Sequence, residues 1–396
     1  MTSPDPQRAS RNASVAAFMT FSAFLGLGFV LPFLPLFVQE LGVTDPKDAA
    51  QWAGILIGVG PLLAGLLAST WGGLADLYGY KRVALVALIA LGLSQIIAAL
   101  AQSPAHVLLS RILSGLFGGI GPLGLAMASG SEPRGSAHAS RAIGKIQAAQ
   151  ILAAGFGPLL GGILASSLGI RPAFWGASVA CLLAAAIVGV FYEESDRALT
   201  VKAPASGARE EVHKTRFFAA LIFTVFFVNF ASRSFTPILP GQLAAFGVPN
   251  VALALSTGIL ISVYSVAAAG SSFMFGKWAT VIAPVWLLAL SLGGSLFSAI
   301  SMARVPTFGG FLVVAAMYGL VSGGALTLGY TIGSKRFSEA SRGASFGRLS
   351  GAALVGGAVS PALAAWVARG AMADVYWMNA SVYVLLIAVA LLFLRD

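Results

Sequence analysis

Two arginines stand where arginine is costly. Arg111 and Arg233 each fall inside a long apolar run of this 396-residue chain, and a guanidinium at mid-bilayer costs about 2.5–3.5 kcal/mol on insertion scales. Such a group needs an inward partner, a wet cavity, or a stem long enough to snorkel to the surface. Arg111 sits close enough to one end of its run to snorkel, at about 6–8 Å depth for 1.5 Å per residue. Asn229 precedes Arg233 by four residues, so the two share a helix face, with Phe226 near it. Arg111 and Arg233 together have the chemistry to attract and bind an anionic or acceptor-rich small molecule, with Asn229 orienting it. The competing reading is structural: Arg233 binds carbonyls freed by Pro237 and Pro240. Gln147 and Gln150 share a face of another run and either contact a substrate or hold helices together. Phe33, Phe226, Tyr264 and Tyr330 are candidate wall positions.

The chemistry that is missing narrows the field. None of the 14 Asp and Glu residues lies in mid-run, and neither does any of the three His. Glu40 ends the first run and Asp76 falls in the loop after the second. The sequence holds no HExxH, no GxxxxGK[ST] and no Cys/His cluster. The single Cys181 permits neither a disulfide framework nor a CxxC redox pair. These absences argue against an enzyme, and no metal or organic cofactor is implied.

The elements that must position these residues are membrane spans. Apolar residues make up 58% of the chain and charged residues 10%, against about 25% charged in soluble domains, and the mean hydropathy is +0.88. A bilayer core needs roughly 20 apolar residues per helix. Twelve runs meet that length, at approximately 14–38, 50–71, 83–101, 107–128, 143–168, 172–192, 217–240, 252–275, 281–302, 307–332, 344–368 and 374–394. The expected fold is therefore all-α and membrane-embedded. With a cytoplasmic amino terminus, only Lys47, Arg171, Arg304 and Arg369 of the 24 basic residues fall outside, beside the two embedded Arg. That bias is the positive-inside pattern, and it puts both termini in the cytoplasm. The net charge of +10 is thus a topology signal and not a nucleic-acid groove. The polar basic start leads straight into a full span, so the first run is expected to be a retained helix and not a cleavable leader.

The two halves repeat at an offset of about 203–205 residues. Pro32-Phe33-Leu34-Pro35 aligns with Pro237-Ile238-Leu239-Pro240, Gly54-Ile55-Leu56 with Gly258-Ile259-Leu260, Gly115 with Gly319, and Pro158 with Pro361. The expected organisation is a six-helix bundle over 1–192, a polar cytoplasmic linker over 193–216 and a second bundle over 217–396. Parallel repeats of this kind are expected to enclose a central cavity that rocking exposes to each side in turn.

Gly72–Val83, GGLADLYGYKRV, resembles the signature loop of the major facilitator superfamily: Gly72, Leu74, Ala75, Asp76, Gly79, Lys81 and Arg82 fit, whereas Leu77 and Tyr80 stand where that family usually has Arg. Leu108–Gly119 resembles the family's helix 4 motif at Arg111 and Gly115. Gly155–Gly162, GFGPLLGG, resembles the antiporter motif of helix 5 at Gly157, Pro158, Gly161 and Gly162, with Ala153 replacing an earlier Gly. The resemblance covers the whole chain in length and topology, and its specific motifs lie almost entirely in the first half. This asymmetry is like that of the drug-exporting branch. It implies a twelve-helix drug:proton antiporter of the cytoplasmic membrane, exporting a small organic compound by alternating access. It also implies a gating role for Gly72, Asp76, Gly79, Lys81, Arg82, Gly157, Pro158, Gly161 and Gly162, with a proton gradient as energy source, lipid and a small molecule as the only partners, and a functional monomer. Asp76, Glu40 or a carboxylate on the substrate is left to carry the proton. The runner-up is an importer or facilitator of a small organic anion, which two embedded Arg and no mid-span acid favour; a membrane enzyme or receptor ranks last.

Overall fold

The computed structural model describes residues 6–130, 137–194, 216–279, 281–334 and 342–394, and among them it is entirely helical. The helices are α1 (Pro6–Val30), α2 (Leu34–Glu40), α3 (Pro46–Tyr78), α4 (Tyr80–Ala99), α5 (Pro104–Leu116), α6 (Ile120–Gly130), α7 (Ala137–Leu168) and α8 (Ile170–Phe191). After residues 195–215 follow α9 (Arg216–Arg233), α10 (Leu239–Ala245), α11 (Asn250–Trp278), α12 (Pro284–Met302), α13 (Phe308–Ser334), α14 (Arg342–Val367) and α15 (Met372–Phe393).

Eleven described stretches are long and apolar enough to cross a bilayer. The remaining expected span, 107–128, is present as α5 and α6, which a break at Phe117–Gly119 separates. The break follows from the local sequence. Two adjacent glycines weaken a helix, and the Trp71 ring of α3 occupies the space a Gly119 side chain would need. Trp71 also closes the break: its indole N–H donates to the Leu116 carbonyl at 2.7 Å, a bond that lipid could not supply.

The repeat appears in the backbone as well. Short 3-10 turns at Leu31–Phe33 and Thr236–Ile238 interrupt the first and seventh spans at the matching Pro-x-x-Pro sequences. Pro removes a helical donor and clashes with the preceding turn, so the same sequence produces the same interruption twice. Pro158 and Pro361, also paired by the repeat, lie inside α7 and α14. Asp76 does not lie in a loop: α3 runs on to Tyr78, and one residue, Gly79 at φ 91°, makes the whole turn into α4. Only glycine adopts that backbone without strain.

The surface carries the apolar bulk. Leu66, Leu93, Val179, Val190, Phe273, Phe297, Trp366 and Leu392 are exposed, whereas the interior is rich in Ala and Ser. Patches of this kind exceed what water tolerates, and small residues are what let membrane helices approach closely. The protein is multi-pass and membrane-embedded.

By contact the chain divides into two compact units, Met1–Phe33 with Leu63–Ala205, and Leu34–Leu62 with Ser206–Asp396. The sequence halves place Leu34–Leu62 with the amino-terminal bundle, but its contacts lie in the second unit. Glycine is the reason. A Cβ at Gly54 would stand 2.5 Å from the Pro361 carbonyl oxygen, and one at Gly58 would meet the Ala358 carbonyl. Two helices pack there backbone to backbone. Beyond the seam, Arg369 pairs with Asp48, and the Lys47 ammonium donates to the Arg369 carbonyl at 2.7 Å.

This seam generates a stability prediction. Overpacking of this kind costs about 1–3 kcal/mol. Gly58→Val therefore lowers the unfolding midpoint of detergent-solubilised protein by roughly 5 °C. Gly293→Ala, where nothing lies within 4 Å of the new Cβ, leaves it unchanged or raises it.

Candidate functional site

In the first unit, Arg111 is 1% exposed, on the face of α5 that also buries Val107, Ser110, Ser114 and Gly115. Its Nη2 donates to Gln95 Oε1 of α4 at 2.6 Å and to Ser110 Oγ at 3.3 Å. Nε and Nη1 have no partner among the described residues. The side chain does not snorkel. It spends its charge on Gln95, a residue that sequence reasoning passed over because a glutamine in an apolar run carries no signature.

The signature segment is mostly helical. Gly72, Leu74, Ala75 and Asp76 lie on the last turns of α3, with Ala75 buried; the side chain of Asp76 lies outside the described residues. Lys81 is half-buried and Arg82 exposed at the start of α4. Their backbone position depends on a second residue missed in the sequence. Glu194, just past α8, accepts the Tyr80 amide at 2.9 Å and the Lys81 amide at 3.0 Å. The only signal for it was its acidity at a span end.

The antiporter-like stretch of α7 is a packing seam with α1. The Cβ position of Gly157 is 2.9 Å from Gly28 Cα, and that of Gly161 lies against the Phe29 backbone. Pro158 and Gly162 are buried. Gln150 is half-buried and Phe33 fully buried, so Phe33 lines no open wall in this structure. The Gln147 side chain lies outside the described residues.

In the second unit, Asn229 and Arg233 share the face of α9 turned towards α14, as their spacing implies. A Cβ at Gly357 would stand 3.0 Å from Asn229 Oδ1 and 3.5 Å from Arg233 Cγ. Arg233 is exposed. Among the described residues it makes no ion pair or hydrogen bond, and none to the carbonyls before Pro237 or Pro240. The half-buried Tyr264 ring lies within its electrostatic reach. Tyr264 stacks on Tyr318 at 5.5 Å and meets Phe235 edge-on at 5.4 Å, while the Tyr318 and Tyr383 hydroxyls bond at 2.5 Å. A fixed aromatic floor thus stands beside an unspent cation. Phe226, half-buried, stacks with Phe230 at 6.4 Å. Tyr330 is a separate position, its hydroxyl 3.4 Å from Ser350 Oγ.

Interrupted helices, proline-matched repeats and charges placed inside an apolar shell define a multi-pass secondary transporter. The chain belongs to the Major Facilitator Superfamily, whose family model matches residues 16–257 and 221–396. Multidrug resistance protein MdtG of Proteus mirabilis is 29% identical over 378 residues, 94% of this chain and 93% of that one. The protein of the same name from Escherichia coli is 32% identical over 311 residues, 76% and 74% of the two chains. Among solved structures, a bacterial homolog to the human lysosomal transporter Spinster, in an inward-facing and occupied conformation, has a TM-score of 0.80 at 16% identity, covering 99% of this chain and 98% of that chain. The human organic anion transporter MFSD10 has a TM-score of 0.69 at 18% identity, covering 98% and 100%.

The Arg111–Gln95 pair generates the prediction here. Removing one partner of a buried charged hydrogen bond leaves the other unpaired, whereas replacing both with apolar groups of like shape is nearly neutral. Gln95→Leu alone destabilises the purified protein by about 2–3 kcal/mol. The double variant Gln95→Leu/Arg111→Met recovers most of that loss in the same thermal-unfolding measurement.

Proposed function

We propose that this protein exports small organic compounds of the multidrug type across the cytoplasmic membrane, by alternating access and driven by the proton gradient. The observation that carries the reading is the relationship to a multidrug resistance protein over nearly the full length of both chains. The charge distribution supports two cytoplasmic termini. The protein acts as a monomer, with lipid and its small-molecule substrate as partners, with no part in nucleic-acid binding and without catalysis.

Within that reading, Arg233 and Asn229 hold the polar end of the substrate, and Phe226, Gln147 and Gln150 contribute further contacts. Arg233 supports this role because its guanidinium is exposed and unspent. Arg111 and Phe33 serve the substrate indirectly, since both are buried. Gly72, Asp76, Gly79, Lys81 and Arg82 gate one end, and Gly157, Pro158, Gly161 and Gly162 form the surface on which α7 pivots. The coupling proton is carried by Asp76, by Glu40 or by the substrate.

A second reading, an importer or facilitator of a small organic anion, is favoured by the same unspent Arg233. Everted membrane vesicles loaded with acridine orange separate the two. Export predicts that ethidium, chloramphenicol or norfloxacin releases the quench in vesicles containing the protein and not in controls. Uptake of benzoate into whole cells, with no response to the three drugs, overturns export. Arg233→Gln raises KM for a transported anionic or acceptor-rich probe about 10–100-fold, the loss of one charge-assisted hydrogen bond, with normal insertion. An unchanged KM removes Arg233 from the substrate contacts.

A further inference from the structure

Where α8 ends, the chain turns back on two other helix starts of the same unit. Glu193 and Asn12 of α1 exchange bonds: Asn12 Nδ2 donates to the Glu193 carbonyl at 2.8 Å, and the Glu193 amide donates to Asn12 Oδ1 at 3.2 Å. Arg8 Nη2 donates to the Glu194 carbonyl at 2.6 Å. The Glu193 carboxylate pairs with Arg8 Nε at 3.0 Å and also with Arg11. Glu194 places one oxygen on each of two successive amides that open α4.

Magnitudes separate these contacts. The ion-pair side chains are 42–50% exposed, and such pairs contribute about 0–1 kcal/mol each. Bonds that end on backbone are different, because they fix where a helix begins. The first four amides of a helix lack acceptors, and a carboxylate there is favoured both by direct bonding and by the helix dipole. Gly79 makes this geometry possible. A Cβ there would stand 3.1 Å from Glu194 Oε2, on a backbone at φ 91° that L side chains rarely adopt. The two amides held by Glu194 belong to Tyr80 and Lys81, inside the signature segment and directly before Arg82. Lys81 and Arg82 are the only basic residues between Gly72 and Val83, so the segment's own side chains supply little charge to hold it.

We propose that Glu193 and Glu194 form a clasp in which the end of α8 ties the starts of α1 and α4, with Glu194 as the positioning residue that sets the signature segment and hence the turnover of the carrier. The turnover part rests on the transport reading above; the anchoring part does not.

The test pairs hydrogen–deuterium exchange with transport, using the full chain in nanodiscs and in everted vesicles. Glu194→Ala speeds exchange at the Tyr80 and Lys81 amides at least tenfold. Glu194→Gln, of the same shape but with one acceptor oxygen, gives an intermediate rate and serves where the alanine variant inserts poorly. Arg11→Ala leaves both amides as in the wild type. Both Glu194 variants lower kcat severalfold for whichever of ethidium, chloramphenicol or norfloxacin the wild type moves, with KM unchanged. Wild-type exchange in Glu194→Gln overturns the anchor, and faster exchange with wild-type kcat overturns its link to turnover. A wild-type protein that moves none of the three probes refutes the drug-export reading instead, and the exchange result still decides the clasp.

Discussion

Lipid offers no hydrogen bonds, so every place where a membrane helix stops or breaks has to be completed by the protein itself. Much of the polar chemistry described above is that completion. Trp71 takes the carbonyl left by the break before α6, and Glu194 takes two amides at the start of α4. Arg171 donates to the Ala99 and Ala101 carbonyls at 2.7 and 2.8 Å, closing the far end of the same helix. Asp374 accepts the Ala371 amide where α15 begins. A basic group at the carboxyl end and an acidic one at the amino end of α4 also match the polarity of the helix dipole. The helices are long and apolar by composition, but their ends and breaks are fixed by a few charged or aromatic side chains.

The two embedded arginines illustrate opposite answers to one cost. Arg111 is desolvated and committed to Gln95, which makes it part of the scaffold that joins α4 and α5. Arg233 closes α9 with its guanidinium uncommitted among the described residues, over a stem that Gly357 leaves room for. Equal residue type and similar depth in the sequence gave no hint of that difference. The decisive facts are a glutamine sixteen residues upstream in one case and the stacked Tyr264 and Tyr318 rings in the other.

Legibility in the sequence follows the same division. Span number, span length and the internal repeat were readable because lipid imposes a length and a composition on every crossing, and Pro-x-x-Pro acts locally on the backbone. The matched 3-10 turns at Leu31–Phe33 and Thr236–Ile238 are that local rule expressed twice. The break after Leu116 was hidden, since Gly118 and Gly119 resemble many other glycines in this chain and only Trp71, forty-five residues upstream, makes the interruption affordable. Asp76 was misplaced for a related reason: hydropathy marks where the lipid ends, and α3 continues past that point. Glu193, Glu194 and Gln95 act through tertiary contacts whose partners are far away in the chain, so spacing could not reveal them.

The grouping of Leu34–Leu62 with residues beyond 206 alters the meaning of the connection between the units. The polypeptide passes from one unit to the other after Phe33, returns after Leu62 and passes over again after Ala205. Covalent continuity is therefore threefold, and a cut in the long polar connection would leave two other backbone crossings intact.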